Sequence, residues 1–157
     1  MNHISLSEYR NAWVFRHKDM PVSTEDLVCI KPLSESSALQ LWRQRISKEA
    51  SHPSDLDSND WAAKENTWLH KDIWQKTWDS PNTDLPELII QEIDWADNVN
   101  VFFCYESHNI IETTWSVFKR NWKNFLFFDD SPLLIARKKK QALQFFQNGT
   151  FAIGKMP

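Results

Sequence analysis

Glycine is scarce: Gly149 and Gly154 are the only two in a chain of 157 residues. Phosphate-cradling loops need glycines where the backbone approaches a ligand closely, and the chain contains neither GxGxxG nor GxxxxGK[ST]. Nucleotide-cradling loops of those kinds are excluded. Cysteine is as rare. Cys29 and Cys104 each sit between apolar neighbours and far apart in sequence, so both read as buried free thiols, not as a disulfide framework, and a cytoplasmic location is expected. No apolar run approaches the roughly 20 residues of a membrane span, and Met1–Glu8 has neither the basic nor the apolar region of a secretory signal. No membrane partner is expected.

Catalytic and metal signatures are missing too. The histidines at 3, 17, 52, 70 and 108 form no HxxxH or HExxH, neither cysteine falls in a CxxC, and no serine lies in GxSxG. Asp55 and Asp57 alternate as a hard-cation loop would begin, but the glycine at the sharp turn of an EF-hand is absent. No catalytic residue, metal ligand or cofactor is assigned.

What the chain has is aromatic and polarised. Nine tryptophans and ten phenylalanines accompany 41% hydrophobic and 25% charged residues, an ordinary balance for a globular protein. The net charge of -3 divides unevenly: residues 1–114 carry 19 acidic and 10 basic side chains, and residues 115–157 carry 2 and 8. That asymmetry points to an acidic or nucleic-acid partner, or to self-complementarity within one fold.

The densest apolar pattern runs from Val99 to Gly154. Val99–Tyr105 reads as a central strand, Glu106–Asn109 as a turn and Ile110–Thr113 as the returning strand. Trp115, Phe118, Trp122 and Phe125 then fall on one face of a helix over 115–126. Leu133–Ala136, Ala142–Phe146 and Thr150–Ile153 follow as strands, the last two joined through Asn148-Gly149. That turn also accounts for the formal glycosylation match at Asn148-Gly149-Thr150.

Upstream, Ala12–Arg16 reads as a strand, and Ser23 opens a short helix through Leu27, Val28 and Ile30 that Pro32 ends. Ser34 caps a helix over 35–48, and Asp84-Leu-Pro-Glu87 reads as a capping box for a helix over 86–95. The fold expected is α+β: a single domain over 1–157, with a mainly antiparallel sheet of about five or six strands and helices packed on one face.

Three sets of residues are candidates for contact. Trp61, Trp68, Trp74 and Trp78 lie in a polar segment; they can anchor a partner or complete the core, and burial is the commoner fate of large aromatics. Arg137, Lys138, Lys139 and Lys140 form a basic tip between two strands. Asp129 and Asp130 form an acidic turn ahead of Pro132. Nucleic acid is disfavoured, because the sequence pI is near 5.9 and the aromatics near Lys119, Arg120 and Lys123 face the core side of their helix.

His17-Lys-Asp-Met-Pro21, Ile30-Lys-Pro32, Phe102-Phe-Cys-Tyr105, Ile111-Glu-Thr-Thr-Trp115, Phe118–Leu126 and Phe145–Gly149 together resemble the domain-of-unknown-function 2947 family of small bacterial proteins. The resemblance covers nearly the whole chain and brings no catalytic residues with it. It implies a stand-alone, cytoplasmic bacterial protein. In outline, the C-terminal order of elements is also similar to small immunity proteins that neutralise toxin domains. The function expected is a non-enzymatic protein-binding module; the alternative is a small hydrolase or transferase whose site the fold assembles from His17, His70, Glu112 and Asp130.

Overall fold

The computed structural model describes residues 1–127 and 130–157, and these form seven strands and five α-helices. The helices are α1 (Thr24–Leu27), α2 (Glu35–Arg45), α3 (Gln75–Asp79), α4 (Glu87–Glu92) and α5 (Trp115–Phe125). The strands are β1 (Lys31–Pro32), β2 (Trp68–Ile73), β3 (Asn100–Glu106), β4 (Asn109–Thr114), β5 (Leu133–Ala136), β6 (Gln141–Phe145) and β7 (Thr150–Lys155). All pair antiparallel in one sheet of order β1-β4-β3-β5-β6-β7-β2.

The sheet therefore has seven strands where five or six were expected. The additions are its two edges. β1 is two residues long and contains Pro32, which an edge strand tolerates because no ladder donor is needed there. β2 carries Leu69, Lys71, Asp72 and Ile73 exposed, so its pattern is that of a polar surface segment.

Helices cover both faces, not one. Val101, Phe103 and Tyr105 of β3 share a core with α5, Trp74, Ile89 and Phe15, while Phe102 and Cys104 pack with Ala38, Leu41 and Trp42 of α2. Strands buried on both faces read as unbroken apolar runs, which is what Val101–Tyr105 and Leu133–Ala136 are.

Local signals succeed where core packing agrees with them. Ser34 accepts from the Ser37 backbone N–H and Thr114 from that of Val117, capping α2 and α5. Ala12–Phe15 is a 3₁₀ helix, not a strand, because Ala12, Val14 and Phe15 all turn into the core. The helix at Ser23 is one turn, and the capping box at Asp84 does not form: Pro86 stands at the N-cap of α4, with no side-chain cap.

The two glycines answer to two needs. Gly149 holds φ +91° in the turn after β6, where Phe146 pairs with Thr150 around a three-residue loop. At Gly154, a Cβ would lie 2.2 Å from the Thr67 carbonyl oxygen, so only glycine lets the chain ahead of β2 close over β7.

Candidate functional site

The turn between β5 and β6 is Arg137-Lys138-Lys139-Lys140, and all four side chains are exposed. Neighbouring elements add cations to it. β7 places Lys155 opposite Gln141, and the Met156 N–H donates to the Lys140 carbonyl at 2.7 Å. From the last turn of α2, Arg45 donates to the carbonyls of Ala136 at 3.0 Å and Arg137 at 3.3 Å. β1 places Lys31 opposite Glu112. The result is a basic band along one end of the sheet. Among the described residues, Lys31, Arg45, Lys138, Lys139, Lys140 and Lys155 form no ion pair.

Gln141, opposite Lys155, donates to the Glu92 carbonyl and accepts from the Asp94 backbone N–H, so two acidic residues adjoin that end of the band. A carboxylate is built into its other end. Glu112 is buried, and its two oxygens meet His3 Nε2 at 2.7 Å and Arg137 Nη2 at 2.6 Å. Burial pushes its carboxyl up, and the hydrogen bonds from Arg137 and His3 outweigh that and hold it below the ordinary range. The Arg137 guanidinium also lies 5.3 Å from the centre of the Phe102 ring, a cation–π contact that fixes its plane. A cavity of about 270 Å³ opens beside it, with His3, Lys31, Asn100, Thr114 and Arg137 in its walls. Arg45 is half-buried, and desolvation lowers its pKa from the usual guanidinium value.

A family model described as a protein of unknown function, DUF2947, matches residues 3–154. The chain belongs to this family. The matched span takes in His3, Lys31, Arg45, Glu112 and the whole 137–140 turn, with Lys155 one residue beyond it. No curated protein and no solved structure matches the chain.

The DUF2947 fold does not gather the four tryptophans onto one surface. Trp61 and Trp68, their rings 6.1 Å apart, are half-buried on the α2 side of the sheet and donate to the carbonyls of Arg45 and Ala62. Trp74 is buried on the opposite side, donating to the Phe146 carbonyl, and half-buried Trp78 packs between it and Trp122. Asp129 lies outside the described residues. Asp130 is exposed and accepts from His52 Nε2 at 3.1 Å.

Nor does the fold assemble the four groups of the enzyme alternative. His17 accepts from the Asp19 backbone and lies against Phe127, His70 faces Glu92 at 3.4 Å, Glu112 faces His3 and Arg137, and Asp130 faces His52. No two of the four bond to each other among the described residues. The same residues contain no group of three or more His, Cys, Asp or Glu able to hold a metal ion.

The 137–140 run is visible in the sequence, whereas His3, Lys31, Arg45 and Lys155 join it only in the fold. For Lys155 the signal was present: a hairpin with a three-residue loop at Asn148-Gly149 brings the far end of β7 beside the basic tip. Arg45 and His3 reach the band only through tertiary packing, and nothing local marks them.

Proposed function

We propose that this DUF2947 protein is a non-enzymatic interaction module of the bacterial cytoplasm, whose basic band docks an acidic segment of a partner protein. The observation that supports it is a band of six cations, from β1, α2, the β5–β6 turn and β7, that form no ion pair among the described residues. Gathering like charges raises the electrostatic self-energy of the fold, and complementary negative charge on a partner offsets it while steering encounter. The free thiols of Cys29 and Cys104 fit a reducing compartment.

An acidic protein suits the band better than nucleic acid does. Single-stranded nucleic acid is held by stacking as well as charge. The exposed aromatics Trp13 and Phe127, 5.3 Å apart, lie at the C-terminal end of α5, whereas the band adjoins its N-terminal end at Thr114.

Fluorescence anisotropy with a labelled ten-residue oligoglutamate tests the reading. The parent should bind it at low salt, and replacing Lys138, Lys139 and Lys140 together by Ala should weaken binding about tenfold or more. Equal binding of a neutral peptide by the parent overturns the proposal, as does stronger binding of a single-stranded RNA of matched charge.

A further inference from the structure

We infer that the band has one anchor point: the cavity beside Arg137 receives a single carboxylate of the partner, with Lys138, Lys139 and Lys140 supplying long-range attraction. This rests on the docking role just proposed and assigns its specificity-determining residue.

Arg137 differs from its neighbours in being held. Glu112 fixes one edge of the guanidinium and Phe102 fixes its face, so a carboxylate meets donors already in position. A planar fork pre-set in this way loses little rotamer freedom on binding, and it matches carboxylate geometry as a lysine ammonium does not. The three lysines carry equal charge without any such restraint.

The cavity is lined for a negative group. Lys31 and Arg137 line it with Asn100 and Thr114 beside them, and the one carboxylate among its described wall residues, Glu112, has both oxygens engaged by His3 and Arg137. At about 270 Å³ it is smaller than the roughly 300–1,000 Å³ typical of small-molecule sites. It suits one acidic side chain or a chain terminus, not a whole metabolite.

The test is calorimetric titration of the full chain with oligoglutamate of ten residues, once with a free C-terminus and once amidated. Equal affinities identify a side-chain carboxylate, and a marked preference for the free form identifies the terminal one. Two variants decide the anchor. Arg137→Lys keeps the charge and loses the fork; Lys31→Met removes a cavity cation and leaves both hydrogen bonds of Glu112 in place, so it stays informative if the first variant is less stable. Both should bind about tenfold more weakly than the parent, with a salt dependence close to the parent's, whereas the triple lysine variant should show a shallower salt dependence. Parent-like binding by either single variant overturns the anchor while the docking role stands. A parent that binds neither peptide overturns both.

Discussion

Replacing Gly154 by Ala gives a sharp test of how the sheet closes. The added Cβ would stand 2.2 Å from the Thr67 carbonyl oxygen, 2.9 Å from the Thr67 carbonyl carbon and 2.9 Å from Trp68 Cε3. Ordinary contact begins near 3.4 Å, so Thr67 must retreat by about 1 Å, and because the obstacle is backbone no rotamer change relieves it. A shift of that size stretches ladder bonds of about 2.9 Å beyond hydrogen-bond range. Losing about two of them at roughly 0.5–1.5 kcal/mol each gives a destabilisation of about 1–3 kcal/mol, the range expected for overpacking. For a domain of this size that lowers Tm by roughly 2–12 °C. Calorimetry gives the total, and amide hydrogen exchange shows where it falls: protection should drop first in β2 and last in β3 and β5. A variant that melts with the parent and keeps its β2 protection would refute the reasoning.

Acid should weaken the fold through two carboxylates. Hydrogen bonds from Arg120 and Asn121 hold Asp26 below the usual carboxylate range, and Arg137 and His3 do the same for Glu112 against its burial. Each therefore contributes stability that is present above its unfolded pKa, near 4, and lost as pH falls through the lower folded value. Urea midpoints should be steady from pH 7 to about 5 and fall below about pH 4, and Asp26→Ala should flatten that fall; a midpoint that rises on acidification contradicts the assignment. Trp74→Ala should cost roughly 3–5 kcal/mol in urea unfolding, because Trp74 is 3% exposed and bonded to Phe146. A loss below about 1 kcal/mol would show that the indole is not part of the core.

The stretch from Val99 to Gly154 was legible because local preference, apolar pattern and packing agree there. Its first hairpin, its Trp/Phe helix and its three further strands, the last two joined as a second hairpin, all formed. β2 was not legible, since an edge strand with one half-buried indole and exposed Leu69, Lys71, Asp72 and Ile73 has no period to detect. Ala12–Phe15 has the residues of a strand, yet the core fixes it as a 3₁₀ turn. The candidate site was half visible. Arg137–Lys140 is a run any reading finds, but the pairing of Glu112 with Arg137 follows from register: β3 brings Glu112 opposite Phe102, and Phe102 opposite Ile135. How the four indoles of the tryptophan segment are shared out also follows from tertiary packing: they divide between opposite faces of one sheet.

A ¹⁵N-resolved titration of the full chain with oligoglutamate shows directly where the molecule makes contact. Saturable shifts should concentrate in the amides of Lys31, Arg45, Arg137–Lys140 and Lys155 and fade as salt is raised. Shifts centred instead on Trp13, Phe127 and Trp78, or spread evenly with no saturation, would contradict docking at the band.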